Sequence, residues 1–546
     1  MPPQSNAILE PEMMGSRRFA FVLLIVIVHV QPVFAEIRQW RVMELKFTAN
    51  QDHVKPIELQ FAAVFTGPGE RHYLVPGFWD GERSWRVRFA PPAPGDWTYV
   101  TLCNDSSDTG LHEQRGSFYA HPAGSENRLF AHGGFLRVSE NRHYLTFSDG
   151  TPFFWLGDTW WLCPSKLCPI SGSSNPRYVS MYKTLVDTRR AQGFTVIQMA
   201  FITGETKLFN PTQWSESTIG FWREADQYVA YANESGLLPV IGIGFHSDID
   251  PVSLDNLKTL WRYVIARYGS FAVTWLVLGE YNLNDPPERL QKVLALGRFI
   301  KDTDPYKRAM SVHPSHARRD RRQAWSQLWY DFIMIQCGHG LVPPADLYLN
   351  AYSREERKPV LEAECNYEGV RETKAEKVRL VAYRAIQAGS FGYTYGAHGL
   401  WYPTQSPEDR RFEEYGKTIP WWEALQLPGG HQMQHLRTLY ESLEWWKLEP
   451  SPALVETAEE LPEELRILAK ADKDEVFTFY FPKGIDPKLE ARLARGYPGA
   501  TYSARWFNPR TGDSLFVNKL QIPTAATLLP ERPNAEDWVL ILRKDQ

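Results

Sequence analysis

The segment from Leu238 to Gly279 sets out the repeating unit of the fold. It reads LPVIGIG (Leu238–Gly244), then a helical stretch (Leu254–Tyr268), and then VTWLVLG (Val273–Gly279). Both apolar runs have the length and composition of buried strands, whereas the stretch between them is long enough for a helix. Strand, helix and strand in this order predict a βαβ unit, in which two parallel strands share one sheet.

The same alternation extends in both directions over residues 130–445. Further helical segments are predicted at Pro176–Gln192 and Trp222–Ser235, each followed by the glycine that commonly ends a helix. Eight βα units over about 300 residues predict a (β/α)8 barrel. An open doubly wound sheet would need a glycine-rich phosphate loop after its first strand, and the sequence has none there. The eight predicted strands are Phe153–Gly157, Thr195–Ala200, Leu238–Gly244, Val273–Gly279, Arg308–Val312, Phe332–Gln336, Val360–Glu364 and Phe391–Tyr395.

The regions on either side of the barrel have the pattern of short antiparallel strands. In residues 37–122, runs such as Ile57–Phe65 alternate apolar with polar side chains and are separated by Gly/Pro turns. Residues 450–546 repeat this pattern, for example in Glu475–Phe481 and Tyr502–Phe507. We therefore expect an α/β protein whose TIM barrel is flanked by an N-terminal and a C-terminal β-sandwich that pack on it.

The amino-acid composition of the chain favours some classes of ligand over others. Lysine and arginine total 60 against 64 acidic residues, so there is no basic excess to attract nucleic acid. Aromatic residues make up 14% of the chain, with 20 Trp and 25 Tyr. The C–H faces of sugars stack on aromatic rings, which favours a carbohydrate partner, although β-rich domains also carry many aromatics.

The N-terminus has the pattern of an export signal. Arg17 and Arg18 precede the apolar run Phe19–Val30, and Val33–Ala35 has the small-residue spacing of a cleavage site. We expect residues 1–35 to be a signal peptide, the mature protein to be secreted or periplasmic, and no stable membrane insertion after cleavage. An uncleaved anchor is the alternative, although the run is short for a membrane span.

The five cysteines permit disulfides in an exported protein. Cys163 and Cys168 could close a small loop, and Cys337 could pair with Cys365 if their segments are neighbours. Neither CxxC nor HExxH spacing occurs, so the sequence predicts no metal and no cofactor.

The predicted chemistry lies at the carboxyl ends of the strands, where barrel enzymes place their functional groups. Glu280 follows the fourth strand and Glu364 ends the seventh, which puts two carboxyls across one mouth. Glycoside hydrolysis needs such a pair, one to protonate the leaving oxygen and one to attack or to activate water. Either glutamate could instead form a salt bridge. Glu362 and Glu368 are rivals to Glu364, and Glu362 is expected one layer deeper in the barrel.

Other polar and aromatic residues at the predicted strand ends are candidates for binding substrate. Asp158 could bind a sugar hydroxyl or cap the following turn, the histidines could be structural, and the tryptophans could stack on sugars or pack between domains. The candidates are Asp158, Trp160, Trp161, His246, Asn282, His339, Tyr367, Glu368, Tyr395, His398 and Trp401.

Several of these stretches together resemble the apiosidase-like glycoside hydrolase barrels. The region before the barrel is similar to the small β-sandwich found N-terminal to them, and ARWFNPRTG (Ala504–Gly512) resembles a C-terminal β-domain named for collagen binding. The barrel motifs are FWLGDTW (Phe154–Trp160), RYG (Arg267–Gly269) before Gly279-Glu280, Asp331-Phe332 before QCGH (Gln336–His339), KPV (Lys358–Val360) before Glu364, YEG (Tyr367–Gly369), and GYTYG (Gly392–Gly396) before Trp401.

The resemblance implies hydrolysis of a glycosidic bond in a complex polysaccharide, by retention, with Glu280 as acid/base and Glu364 as nucleophile. The sequence departs from the family pattern at two places. Glu362-Ala363 stands where Asn-Gly is usual, and Gly279 stands where an asparagine commonly precedes the acid/base. Characterised apiose-cleaving members can also carry aspartate at the acid/base position. These departures bear on which sugar is cleaved.

Two other classes of function remain open from the sequence. A barrel without catalysis could bind carbohydrate through the same rim, and the flanking sandwiches could bind a matrix partner such as collagen. Fold alone does not decide among these, but the paired carboxyls at the rim favour the hydrolase.

Overall fold

The computed structural model describes residues 36–201, 214–284, 286–316, 322–494, 499–522 and 527–545. The predicted signal peptide, residues 1–35, lies outside these ranges. Within them, every helix is too short or too polar to cross a membrane.

The N-terminal module consists of two antiparallel sheets, one of three strands and one of four. Alternate residues of the strands face a shared core, where the rings of Phe65 and Phe89 stack at 4.0 Å. The observed packing is the predicted β-sandwich. Its strands are β1 (Met43–Thr48), β2 (Phe61–Gly67), β3 (Arg71–Pro76), β4 (Phe78–Trp79), β5 (Ser84–Phe89), β6 (Gly95–Cys103) and β7 (Arg115–Ala120).

A small antiparallel sheet leads into the barrel and packs near its amino-terminal end. It contains β8 (Arg137–Val138), β9 (Leu145–Thr146) and β10 (Pro152–Phe153), in the order β10-β9-β8. The ring of Phe153 lies edge-on to Trp155 on the first barrel strand, at 6.3 Å. Phe153 belongs to this small sheet, so the first barrel strand begins two residues later than the sequence predicts.

The central domain confirms the predicted barrel, with one parallel strand at each of the eight predicted positions. The order β15-β14-β13-β12-β11-β18-β17-β16 follows the chain around a nearly closed ring. The strands are β11 (Trp155–Trp160), β12 (Val196–Ala200), β13 (Leu238–Gly242), β14 (Thr274–Leu276), β15 (Met310–Ser311), β16 (Ile333–Gly338), β17 (Val360–Cys365) and β18 (Ser390–Tyr395).

The seam between β15 and β16 is bridged by contacts around Asp331. Its backbone N–H donates to Met310 O at 3.0 Å, and its carboxylate accepts from Met310 N at 2.9 Å. Ser311 Oγ donates to Phe332 O at 2.7 Å. These contacts satisfy the hydrogen-bonding capacity of backbone groups beside the short β15. The barrel is therefore stabilised there although β15 and β16 do not form a full ladder of hydrogen bonds.

Helices surround the barrel, and the glycines predicted to end two of them adopt the required conformation. Gly193 follows α2 with φ 78° and Gly236 follows α3 with φ 83°. The helices are α1 (Arg128–Ala131), α2 (Met181–Ala191), α3 (Glu216–Glu234), α4 (His246–Ile249), α5 (Leu254–Tyr268), α6 (Pro287–Thr303), α7 (Arg322–Trp325), α8 (Ala345–Tyr352), α9 (Ala375–Gln387), α10 (Trp421–Ala424) and α11 (Pro428–Ser442).

The C-terminal module pairs a six-stranded antiparallel sheet, β19-β21-β22-β27-β24-β25, with a three-stranded one, β20-β23-β26. Its own apolar core includes Phe477, Trp506 and Trp538. The strands are β19 (Glu449–Pro450), β20 (Val455–Thr457), β21 (Leu468–Asp472), β22 (Val476–Phe481), β23 (Ala491–Leu493), β24 (Ala500–Phe507), β25 (Ser514–Ile522), β26 (Thr527–Leu528) and β27 (Trp538–Lys544).

Buried ion pairs join both modules to the barrel. Arg88 of the N-terminal module contacts Asp226 on α3 at 2.6 Å, and Arg379 on α9 contacts Asp537, just before β27, at 2.8 Å. Ile37–Gln546 accordingly forms one compact unit.

The cysteines divide into one disulfide and three free thiols. Cys163 and Cys168 are bonded, as the sequence suggested. Cys337 and Cys365 lie on neighbouring strands but are not bonded to each other, and Cys103 is buried in the N-terminal module.

Candidate active site

The carboxyl ends of the barrel strands surround a cavity of about 540 Å³. Residues from at least five strand ends line it, because parallel strands in a barrel all open at the same face. The lining residues are Trp161, Phe245, Glu280, His316, Gln336, Cys337, Gly338, His339, Leu341, Glu364, Tyr367, Arg371, Trp401 and Tyr415.

Glu280 and Glu364 meet in this cavity through one amide. Gln336 Nε2, at the end of β16, donates to Glu280 Oε1 at 3.1 Å and to Glu364 Oε1 at 3.0 Å. The two carboxylate oxygens are therefore no more than 6.1 Å apart, which is the sum of those distances. One sugar linkage can reach both groups.

Glu280 occupies a strained and partly desolvated position. Its φ is 50°, in the left-handed region that non-glycine residues rarely adopt. Burial and the nearby charge of Glu364 raise the pKa of Glu280, and the hydrogen bond from Gln336 lowers it in part. A carboxyl with a raised pKa holds its proton closer to neutral pH than an ordinary glutamate does, as a general acid must.

The glycine at position 279, where an asparagine commonly precedes the acid/base, has a steric explanation. Phe245 forms a bridge with Gly279 and lines the cavity beside it. A Cβ at position 279 would lie 2.7 Å from the Phe245 ring, too close for any larger residue without movement of the ring. The glycine therefore leaves space for an aromatic wall next to Glu280.

Glu364 is held by polar groups around both of its carboxyl oxygens. Tyr367 Oη donates to its Oε2 at 2.7 Å, while His313 Nε2 and His339 Nε2 each lie 3.6 Å from one of its oxygens. Burial, with the charges of Arg371 and His316, lowers the pKa of His339 to about 4. His339 is therefore neutral at neutral pH, and direct hydrogen bonds to Glu364 come from Tyr367 and Gln336.

Glu362 lies beneath Glu364 and has a different environment. It is fully buried, accepts from Glu364 N at 3.0 Å, and accepts from Tyr348 Oη and from Cys337 Sγ. Burial raises its pKa to about 7. Its depth matches the sequence expectation for this rival.

Four of the predicted binding residues line the cavity with the two glutamates. His339 and Tyr367 contact Glu364 as described, and Trp161 and Trp401 supply aromatic walls. Trp161 packs edge-on against Phe245 at 5.3 Å, and Trp401 lies 5.5 Å from Tyr415. The cavity thus combines acid groups with rings on which a sugar could stack.

Four other predicted residues are held in the fold outside the cavity lining. Asp158 is fully buried, ion-paired with Arg189 at 2.6 Å, and accepts from Trp160 Nε1 at 2.9 Å. Glu368 accepts from Tyr395 Oη at 2.7 Å and from a backbone N–H on α11. A role for Asp158, Trp160, Glu368 and Tyr395 in substrate binding stays a prediction.

The remaining three candidates, His246, Asn282 and His398, also lie outside the cavity lining. His246 begins α4, directly after the lining residue Phe245. Asn282 Oδ1 accepts from the backbone N–H of Ser315 at 2.7 Å, which fixes the loop that carries His316. His398 is buried, and its backbone N–H donates to Glu368 O at 2.7 Å.

Sequence reasoning did not select several residues of the site. Gln336 and His313 lie at predicted strand ends, so their position alone could have identified them as site residues. An amide or a single imidazole indicates catalysis less strongly than a carboxyl does. Phe245, His316, Arg371 and Tyr415 come from loops whose paths the sequence does not specify.

The fold and the site together define a class of protein. Eight parallel strands bring two carboxyls into one cavity, one of them with a raised pKa, between aromatic walls. Most enzymes that cleave a glycosidic bond use such a pair of carboxyls. We identify the protein as a glycoside hydrolase.

The comparison with protein families gives the same result. Residues 139–447, more than half of the chain, match the family described as "Apiosidase-like, catalytic domain". The chain belongs to this family. Residues 36–104 match a domain of unknown function, DUF5060, and residues 450–543 match the "Putative collagen-binding domain of a collagenase". The comparison with curated proteins finds no match.

Solved structures share the fold at low sequence identity. One described as a glycoside hydrolase is 23% identical, covers 75% of this chain and 97% of its own, and has a TM-score of 0.63. A family 5 glycoside hydrolase from Bacteroides vulgatus ATCC 8482 is 20% identical, with coverages of 75% and 94% and a TM-score of 0.63. A "putative glycoside hydrolase" from the same organism is 17% identical, with coverages of 93% and 100% and a TM-score of 0.68.

Proposed function

We propose that the protein hydrolyses a glycosidic bond of a complex polysaccharide with retention of configuration. Glu280 is the acid/base and Glu364 is the nucleophile. The observation that carries this proposal is the shared hydrogen bond from Gln336, which keeps the nearest carboxylate oxygens within 6.1 Å. Retaining enzymes hold their carboxyls about 5–5.5 Å apart, and inverting enzymes about 6.5–9.5 Å apart.

In the first step, the Glu364 carboxylate attacks the anomeric carbon while Glu280 protonates the departing glycosidic oxygen. The bond to the leaving sugar breaks as a glycosyl ester forms on Glu364. The hydrogen bond from Tyr367 to Glu364 Oε2 fixes the orientation of the nucleophile. In the second step, Glu280 removes a proton from water, which attacks the same carbon and releases the sugar.

The electrostatic coupling between the two glutamates suits this change of role. The charge of Glu364 is one cause of the raised pKa of Glu280. Esterification of Glu364 removes that charge, so the pKa of Glu280 falls after the first step. A group that begins as an acid thereby becomes a better base when water must be activated.

The polysaccharide assignment is supported by the walls of the cavity. Trp161, Trp401 and Tyr415 offer ring faces or edges near the carboxyl pair, and Arg371 and His316 offer polar groups for hydroxyl recognition. Aromatic rings with a few directed polar groups are typical of sugar-binding clefts.

Product stereochemistry tests retention directly. The protein is incubated with plant, algal and bacterial polysaccharides, and NMR spectra of the most active reaction are recorded before the released sugar mutarotates. We expect the first anomer to have the configuration of the cleaved bond. An inverted first product would overturn the retaining mechanism.

We further propose that the protein acts outside the cytoplasm after removal of residues 1–35. This rests on the Arg17-Arg18 pair, the apolar run Phe19–Val30 and the pattern at Val33–Ala35. Expression of the full chain in a host with an export pathway should yield a secreted or periplasmic protein beginning near Glu36. A cytoplasmic protein that retains residues 1–35 would contradict this proposal.

A further inference from the structure

Three groups capable of binding a metal lie together beneath the carboxyl pair. The sulfur atoms of Cys337 and Cys365 and a carboxylate oxygen of Glu362 are all within 4.8 Å of one another. Cys337 lies on β16, and the other two lie on the adjacent β17, where the strand register shifts. Since Cys337 and Glu362 are 25 residues apart in sequence, no short motif reveals the cluster.

One separation in the cluster is that of two ligands of a tetrahedral ion. Zinc bonds to sulfur at about 2.3 Å and to oxygen at about 2.0–2.2 Å, which places a sulfur and an oxygen ligand about 3.6 Å apart. Cys337 Sγ lies 3.5 Å from Glu362 Oε2, and it lies 3.8 Å from Tyr348 Oη. The Tyr348 hydroxyl donates to the same Glu362 oxygen, so it must turn aside when an ion enters.

The charge environment of Glu362 also points to a cation. Glu362 is fully buried, and its hydrogen-bond donors in the described part of the chain are Tyr348, Cys337 and the backbone N–H of Glu364. None of these donors is a basic side chain, and the neighbouring charged group is another glutamate. A carboxyl buried in this way must keep its proton or be paired with a cation, and a divalent ion would supply that cation.

We propose that Cys337, Glu362 and Cys365 bind one thiophilic divalent cation of the Zn²⁺ class. A water molecule is the fourth ligand. Two thiolates and a carboxylate favour such an ion over Mg²⁺ or Ca²⁺, which prefer all-oxygen sites. Binding releases the thiol protons to solvent.

The ion has a route of entry and a structural consequence. Cys337 lines the catalytic cavity, so an ion can reach the cluster from the mouth of the barrel. Once bound, it ties β16 to β17 below the hydrolytic groups: Gln336 precedes Cys337, and Glu364 N donates to Glu362 Oε1. The ion therefore stabilises the floor of the active site and takes no part in the proposed hydrolysis.

Cobalt titration tests the site without any substrate. The full chain is purified in a non-chelating phosphine reductant, freed of metal with a chelator, and titrated with Co²⁺ as a spectroscopic probe. We expect one equivalent to bind with a thiolate-to-cobalt absorption band, and Zn²⁺ to displace it. Zn²⁺ should also raise the melting temperature, because it binds the folded state.

The free cysteines provide matched variants. Cys337→Ser and Cys365→Ser should each lose the band and the thermal shift, whereas Cys103→Ser, in the N-terminal module, should keep both. Glu362→Gln keeps the size and most hydrogen bonding of the side chain, and it should weaken Co²⁺ binding by about tenfold or more. Circular dichroism establishes that each variant is folded.

Three results would overturn the proposal. The first is absence of the thiolate band in folded wild type at one equivalent of Co²⁺. The second is a band of equal strength in Cys365→Ser or Cys337→Ser. The third is a thiol count showing that Cys337 and Cys365 stay disulfide-bonded in the reductant. Each result is independent of whether the protein hydrolyses sugars.

Discussion

At the scale of single residues, Gln336 links the two carboxyls that are proposed to act in catalysis. Its Nε2 donates to both, and this hydrogen bond holds the pKa of Glu280 lower than burial and the charge of Glu364 alone would set it. An amide that joins two acids keeps them close despite their repulsion. It also keeps the acid from binding its proton too tightly for the base step.

Replacing Gln336 with leucine should therefore change both the rate and the pH profile. Loss of hydrogen bonds to charged groups, about 1.5–3 kcal/mol each, should lower kcat/KM by roughly 10–100-fold. Because the lost bond favoured ionised Glu280, its pKa should rise further. Since activity needs protonated Glu280, the basic limb of the kcat/KM profile should move to higher pH.

The control is Gln51→Leu, which removes an amide in the N-terminal module, where Gln51 contacts Asp105. It should leave the pH profile unchanged. A basic limb that stays in place or moves to lower pH in Gln336→Leu would contradict the role assigned to this amide.

At the scale of elements, strand ends decide which side chains the sequence can place at the mouth of the barrel. Short apolar runs in the sequence mark β14 and β17, and a carboxyl at the end of such a run stands out from its apolar neighbours. The sequence therefore indicates Glu280 and Glu364 as candidates. Asp158 was expected at the rim because the first strand was predicted to stop at Gly157. The observed β11 continues to Trp160, so Asp158 lies inside the barrel wall, paired with Arg189 on α2.

Contacts between distant segments could not be predicted in the same way. The short β15 has only two residues, and its seam depends on Asp331 from the next unit. The cluster of Cys337, Glu362 and Cys365 depends on the register of β16 against β17. Hydrophobic periodicity locates strands but does not give the register that brings side chains together.

Lys470 on β21 gives a prediction about pH and stability. Its side chain is buried, 4% exposed, and burial lowers its pKa to about 7 from the ordinary 10.5. The unfolded chain therefore binds more protons than the folded one between pH 7 and 10.5, so this lysine's cost to stability falls as pH rises through that window. Below pH 7 the full cost remains.

Lys470→Met should accordingly raise the free energy of unfolding at pH 7 by a few kcal/mol, at about 1.4 kcal/mol per pKa unit. The gain should shrink as pH approaches 10. Urea denaturation at pH 7 and pH 10 measures both effects. The exposed neighbour Lys473 serves as control, since Lys473→Met should change stability by less than about 0.5 kcal/mol. A destabilised Lys470→Met at both pH values would refute this prediction.

At the scale of the whole molecule, the C-terminal module is bound to the barrel by buried charge. Asp537 accepts two hydrogen bonds from Arg379 on α9 and another from Arg510, and both Arg379 and Asp537 are almost fully buried. Gln387, also on α9, accepts from Thr478 on β22. We therefore expect the sandwich and the barrel to unfold together.

Asp537→Ala should lower the free energy of unfolding by about 3–5 kcal/mol, because it leaves Arg379 buried without its carboxylate. Calorimetry should show a single transition, and hydrolytic activity should be lost at the same lowered temperature. Glu536→Ala, at the partly exposed neighbouring position, should have little effect. Two separate transitions, with the barrel melting as in wild type, would show that the modules are independent.

The measurement that tests the central claim most directly is release of reducing sugar from a polysaccharide panel by wild type, Glu280→Gln and Glu364→Gln. Binding of the same polymers is measured in parallel. The account predicts release by wild type, losses of several orders of magnitude in both variants, and binding retained by all three proteins. Hydrolysis by Glu364→Gln at the wild-type rate, or binding by all three without release from any polymer, would contradict it.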